Sequence, residues 1–539
     1  MKRVKRYAPF IAILFIGLGT HGLLLLNDGI YWDDWLWVTA LLEKNWFRIY
    51  TEGFSRGEPI DVYFQWFFSG FPNLEFTYRC VAFLSILLAA MLVYVICRQM
   101  GILTRAESLW IALISMVYPA FQTQILLSTT NYLFYYMLFL AGIFLTLKST
   151  NSVSFWGHAL RFGALILFFL SFSLGSLLVF YFGFLLIFVL YARRLQLLSL
   201  REMLTRFLPR HLDYILLPFL YWLIKETWFR PYGLYANYNI LTFSLPVWIH
   251  NLVLFLNNGI YGQFKTALLE LLNQPVLWLL VLLGAWLGWR YFKEKEPNSQ
   301  SVRPYTLLAY GVLLMGLGIF PYIAVGLGPT LTGWSTRHSL LLALPVALVI
   351  VAIARLFFHD PRRGFSLPGW ILLVTLLLAF GLATVSTYID WQARWVHDRS
   401  LMVNLPRVDG SGDYSVYWVD NQYPLGGDPY VQFYEYSSMF KQIWGDETRL
   451  GYPGIHPDMP AYIKSVAGIG YNLDEFDPAG CQATLTIYRG TLSYSEFGLV
   501  ARYFYYKFLR PQRMPGLLDR VTQVEVQPYS LLAADCMKR

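Results

Sequence analysis

Charge is scarce in this sequence. Asp, Glu, Lys and Arg make up 14% of its 539 residues, where a soluble protein carries about 25%. That shortfall excludes a disordered chain, a coiled coil and a nucleic-acid-binding surface. Cysteine is scarce too: there are four, and none has metal-ligand spacing. The chain contains no His-Glu-x-x-His helix and no Walker phosphate loop. It has no Asn-x-Ser/Thr acceptor, which favours a bacterial plasma membrane over a eukaryotic secretory one. No tandem repeat is visible, and no chain of intramembrane acids that would relay protons.

Apolar sequence is what remains. Hydrophobic residues make up 56% of the chain and aromatic residues 18%. Many apolar runs approach the ~20 residues that a helix needs to cross ~30 Å of hydrocarbon. The chain therefore reads as a polytopic α-helical membrane protein. Eleven spans are expected, at 7–26 and near 78–97, 108–127, 131–147, 159–173, 177–191, 212–229, 275–292, 305–327, 339–358 and 367–388. The stretch 159–191 is too long for one straight span and carries arginine at both ends, so it reads as two short, partly re-entrant helices meeting near Leu174-Gly175-Ser176. Residues 245–262 read as a helix lying in the membrane interface, not as a further span.

Sorting the basic residues gives an orientation. The segments assigned inside carry 20 Lys and Arg, and the outer segments before residue 389 carry 8. By the positive-inside rule the amino terminus is cytoplasmic. The first 388 residues have a net charge of +12 and the last 151 a net charge of −3. The overall +9 is thus a topology signal and calls for no nucleic acid. Four parts follow: the first span, an outer loop at 27–77, a helical body that includes a second outer segment at 230–274, and a polar segment at 389–539. The last part mixes strand-like runs (Tyr414–Val419, Ala483–Tyr488) with helical ones (Gln432–Trp444, Ser495–Leu509), as in a small extracytoplasmic α/β or α+β domain. Cys481 and Cys536 both fall there and are candidate disulfide partners, since the outer compartment permits oxidation.

A few charges break the pattern. The outer loop opens Asn27-Asp28-Gly29-Ile30-Tyr31-Trp32-Asp33-Asp34-Trp35-Leu36-Trp37. Adjacent carboxylates among aromatic residues at a bilayer surface are costly to desolvate. Neighbouring residues point ~100° apart on a helix, so Asp33 and Asp34 need not serve one centre. One could be a general base while the other orients the loop or binds a divalent metal; both could instead be a solvated cap. Trp32 and Trp35 could stack on a sugar or simply anchor the interface. Arg337-His338 lies where an outer loop re-enters the membrane. An arginine there suits a lipid phosphate, and equally suits a snorkelling role. Arg56 and Glu58, Lys225 and Gln122 are weaker candidates for contacts to phosphate or sugar.

A short cytoplasmic start, one span, an outer acidic pair and a late Arg-His-x-Leu-x-x-x-Leu-Pro-like run together resemble the GT-C superfamily of integral-membrane glycosyltransferases. The general plan is similar to protein-mannosyltransferase-like and aminoarabinose-transferase-like enzymes, and to bacterial glucosyltransferases that decorate surface polysaccharide. The resemblance implies a donor sugar on a polyprenyl phosphate and an acceptor hydroxyl on a glycan, lipid or protein outside. It maps the family's acid onto Asp33, less closely Asp34, and the lipid-phosphate arginine onto Arg337. It requires no cofactor, although Asp33 and Asp34 could hold a metal. This chain has Asp-Asp where many members have Asp-Glu, and Arg-His where many have Arg-Tyr, so the resemblance names no sugar. Other readings are a transporter or flippase of lipid-linked sugars, a surface-polysaccharide polymerase or ligase, and a non-catalytic membrane scaffold.

Overall fold

The computed structural model describes residues 2–150, 154–196, 200–202, 205, 208–237, 239–291, 302–360, 364–423, 431–445, 448–454 and 481–529. Helix α1 (Lys2–Leu26) leads into a loop and three short helices, α2 (Asp34–Leu42), α3 (Trp46–Ser55) and α4 (Pro59–Ser69). Long helix α5 (Leu74–Gln99) and shorter α6 (Arg105–Val117) follow, then α7 (Thr130–Ser149), α8 (Phe155–Ser171), α9 (Ser176–Gln196) and α10 (Leu212–Trp228). A helical stretch from Leu245 to Leu272, α11, contains a π-helical turn at Phe255–Tyr261. Helices α12 (Leu277–Tyr291), α13 (Pro304–Ala324) and α14 (Ala343–Phe358, preceded by a 3₁₀ turn at Trp334–Leu342) complete the body, and α15 (Leu367–Asn404) leaves it.

Among the described residues, six helices are long and apolar enough to cross a membrane: Tyr7–Leu26, Leu74–Gln99, Leu127–Ser149, Pro304–Ala324, Trp334–Phe358 and Leu367–Arg407. The pair Leu245–Leu272 and Leu277–Arg290, bent by 105°, makes a seventh if counted as one span. The chain is a membrane-embedded helical protein, but eleven spans were too many. The apolar runs at 159–173, 177–191 and 212–229 yield helices whose apolar stretch is too short; at 1.5 Å per residue, α10 with its 17 residues covers about 26 Å. The run at 275–292 is one arm of the bent pair, and its other arm reaches ten residues beyond the interfacial helix expected at 245–262.

The run at 108–127 fails for a local reason. A capping box of Thr104 and Glu107 starts α6. Pro119 then drives Tyr118 into extended backbone and stops the helix after Val117. The chain continues as two 3₁₀ turns, Gln122–Ile125 and Leu127–Thr129. Thr123, Ile125, Leu126 and Thr129 are buried there, as irregular backbone at this depth must be. The break between α8 and α9 falls at Phe172–Gly175, where the sequence places it.

Helix α15 has 38 residues and passes through the composition change at Asp390 without interruption. Beyond it lie β1 (Val416–Asn421), α16 (Phe433–Trp444), β2 (Leu450–Pro453), β3 (Gln482–Arg489), α17 (Glu496–Leu509) and β4 (Thr522–Pro528). The sheet order is β2-β1-β3-β4, with β1 parallel to both neighbours and β4 antiparallel to β3. Cys481 is disulfide-bonded, and Cys80 and Cys97 are free thiols. Cys536, the expected partner, lies outside the described residues.

His21 ties three helices at the end of the bundle nearest this sheet. Its Nε2 lies 3.0 Å from the Met116 carbonyl, which can only accept, so Nε2–H donates. Nδ1 then accepts from Tyr388 Oη at 2.8 Å. His21→Leu leaves both groups buried without a partner and should cost about 1–2 kcal/mol. Thermal unfolding in detergent should show this as a lowered midpoint, with Tyr388→Phe milder. Two curves that superimpose on the parent would refute it.

Candidate functional site

The loop after α1 is built around a buried guanidinium. Arg79, fully buried near the start of α5, donates to the Gly29 carbonyl (2.6 Å) and the Ile125 carbonyl (2.5 Å). The loop is thereby joined to the irregular segment that follows α6. Asp34 makes the reverse connection. It is buried, and its two carboxylate oxygens accept the backbone N–H groups of Leu127 (3.0 Å) and Ser128 (2.8 Å). Burial pushes its pKa up to about 6, against those N–H groups. Asp33 and Asp34 therefore face different surroundings. Asp34 holds backbone, and Asp33 is left partly exposed at the start of α2.

Trp32, just before it, adopts a left-handed backbone (φ 50°). For a bulky residue this costs of order 1–2 kcal/mol. Two contacts hold it there. Its N–H donates to Glu435 Oε2 (2.9 Å), and its ring stacks on Trp334 at 5.6 Å and 12°. Arg337 lies over the same Trp334, 4.2 Å from the ring centroid. Trp334 thus links the loop to the arginine expected to bind phosphate.

The first turn of α16 meets this assembly from the sheet domain. Tyr434 donates its hydroxyl proton to Asp33 Oδ1 at 2.6 Å. Glu435 is fully buried, caps its own helix through Gln432 N–H (2.8 Å) and pairs with Arg394 Nη2 at 2.6 Å. Burial pushes Glu435 up to about 7, opposed chiefly by Arg394. Burial also raises Asp33; the Tyr434 hydrogen bond and then the charges of Arg337 and Arg56 oppose it. A carboxylate held above its ordinary range by burial is a stronger base than a solvated one.

Arg56 lies over Trp37 (4.7 Å) and 3.6 Å from Asp61. Asp61 is buried and accepts from Asn131 (2.8 Å) and Tyr135 (2.9 Å) on α7. Between Arg56 and Glu58, Gly57 has φ 71°. A Cβ there would lie 2.4 Å from the Phe229 carbonyl, so only glycine lets this turn approach the segment after α10. Burial raises Glu58, with Arg56 opposing, and the charges of Lys225 and Arg337 also reach it.

The residues expected from the sequence thus divide. Asp33, Arg56, Glu58, Lys225 and Arg337 share one electrostatic neighbourhood, and Trp32 reaches it through its stack on Trp334. Trp35 is fully buried against Trp395 (6.1 Å) and Gln122 donates to the Leu331 carbonyl (3.2 Å), so both brace the fold. His338 is buried with its ring 4.8 Å from Tyr322. Sequence reasoning missed Trp334, Asp61, Arg394, Tyr434 and Glu435. Among these, the one visible signal was the Gln432-x-x-Glu435 capping pattern, which says nothing of a contact 403 residues away. Among the described residues no group of three or more His, Cys, Asp or Glu side chains is arranged to hold a metal ion. Compared with known proteins, the chain matches no family model, no curated protein and no solved structure.

Arg79→Ala should orphan two buried carbonyls and destabilise the protein by about 2–4 kcal/mol. The loop should also become the first site cut by protease in detergent, at sites within residues 27–34. Unchanged proteolysis and unfolding would remove Arg79 from this role.

Proposed function

We propose that this chain is a membrane glycosyltransferase of the GT-C type, transferring a sugar from a polyprenyl-phosphate donor to an acceptor hydroxyl. One observation carries the reading. The acid that follows the first span and the arginine at the head of a late span are linked through the Trp32–Trp334 stack, although they are far apart in sequence. This reading puts the amino terminus in the cytoplasm and the sheet domain outside a bacterial plasma membrane, in keeping with the distribution of Lys and Arg.

In the proposed step the acceptor oxygen attacks the anomeric carbon and its proton passes to Asp33. The bond from that carbon to the phosphate oxygen breaks, and the configuration inverts. The electron pair stays on the polyprenyl phosphate, where Arg337, with Arg56 and Lys225 nearby, stabilises the added charge. Trp32 supports the sugar and Glu58 accepts from its hydroxyls. A transporter of lipid-linked sugars is a second reading, favoured by the 105° bend between Leu272 and Leu277.

The test uses the purified protein in vesicles with a radiolabelled polyprenyl-phosphate sugar. Asp33→Asn and Arg337→Ala should each lower transfer by a factor of about 100 or more. Undiminished transfer in both variants would sink the reading, and donor translocation without transfer would favour the transporter. Tyr434→Phe removes a hydrogen bond to the ionised acid, so the pKa of Asp33 rises. The acidic limb of kcat/KM should then move to higher pH by about one unit. A limb that stays in place would show that Asp33 is not the base.

A further inference from the structure

Helix α17 has two faces of different character. Leu499, Val500 and Tyr503 are buried, and the helix packs on α15. The other face exposes Phe497 (67%), Tyr505 (42%), Phe508 (55%) and Leu509 (70%). Their spacing puts them on one stripe. Among the described residues beyond Leu367, the only other exposed large apolar side chain is Tyr529. The domain thus concentrates its exposed apolar surface on one helix.

That helix lies where spans leave the membrane. Lys507 Nζ is 3.3 Å from the carbonyl of Leu26, the last residue of the first span, and 3.1 Å from Asp28. Tyr503 donates to Asp28 at 2.7 Å. At its other end, Glu496 is hydrogen-bonded to Asp390, the first acid after the apolar part of α15. So α17 lies across the end of α1 and the point where α15 leaves its apolar part; on α1 itself Phe15, Leu18 and Leu26 are exposed.

Charge identifies the occupant. The last 151 residues are net acidic, yet residues 496–513 hold Arg502, Lys507, Arg510 and Arg513 against one acid, Glu496. The Arg510 guanidinium sits 5.7 Å from the Tyr505 ring. Basic side chains beside an aromatic stripe at this level are how an interfacial helix meets anionic headgroups. We propose that α17 is a membrane-surface helix. Phe497, Tyr505, Phe508 and Leu509 dip into the leaflet on the side of the sheet domain, while Arg510 and Arg513 contact anionic lipid phosphate. This inference is independent of the chemistry assigned above.

The test labels Phe508→Cys with bimane in full-length protein whose free thiols are removed (Cys80→Ser, Cys97→Ala). Phe497→Cys serves as a second, independent position and Asp420→Cys, an exposed residue near the end of strand β1, as a water-facing reference. In vesicles of phosphatidylcholine and phosphatidylglycerol, nitroxide at a shallow acyl position should quench most of the emission at 508 and 497. Aqueous iodide should quench them far less than the label at 420. Lowering phosphatidylglycerol, or Arg510→Glu with Arg513→Glu, should weaken the lipid quenching. Labels open to iodide and untouched by nitroxide lipid would overturn the proposal. So would labels shielded from both quenchers, which would mean that a second copy of the chain covers the face.

Discussion

A buried guanidinium is the constraint on which this architecture turns. Among the described residues Arg79 has no acidic partner within salt-bridge distance; two backbone carbonyls accept from it. Those carbonyls lie outside the regular helices, in the loop after α1 and the 3₁₀ turns after α6, where no helical ladder claims them. The arginine can be buried because Pro119 breaks a helix, and the broken segment can be buried because the arginine satisfies it. Asp34 closes the circuit from the opposite side with two backbone N–H groups. The loop that presents Asp33 is therefore held by polar contacts that have no water to compete with them.

With the loop held, the left-handed backbone at Trp32 becomes intelligible. A residue in that conformation persists only where its surroundings over-determine it. Here Glu435 and Trp334 do so, one from the sheet domain and one from the helical body. The same two neighbours lead to the groups of interest, since Glu435 follows Tyr434 and Trp334 carries Arg337. Tyr434 also occupies one oxygen of Asp33. An incoming hydroxyl would meet the other oxygen unless it displaced the tyrosine, which restricts its line of approach.

Much of this was legible in the sequence, and the omissions have physical causes. Asp33 and Arg337 stood out because charge is scarce and theirs broke the topological pattern. The helices Phe433–Trp444 and Glu496–Leu509 and the strands Val416–Asn421 and Gln482–Arg489 fall within a residue or two of the expected runs, since period and caps are local signals. The strand Leu450–Pro453 has four residues and owes its state to pairing with β1, a non-local cause. The span count failed for a related reason. Hydropathy reports composition over a window, whereas Pro119 and the bend after Leu272 are point events that cut an apolar run without changing its composition. Tyr434 and Glu435 were invisible because their importance comes wholly from what they touch.

Helix α15 has a mechanical consequence. A helix without a break transmits torque and resists bending far better than a peptide linker does. Because it enters the sheet domain as a continuous rod, the domain cannot swivel or swing clear of the bundle on its own. Any molecule that reaches Asp33 must therefore find its way around a stationary roof. The gap it uses is set by side chains at the rim and by the surrounding lipid, since α15 has no break that could act as a hinge.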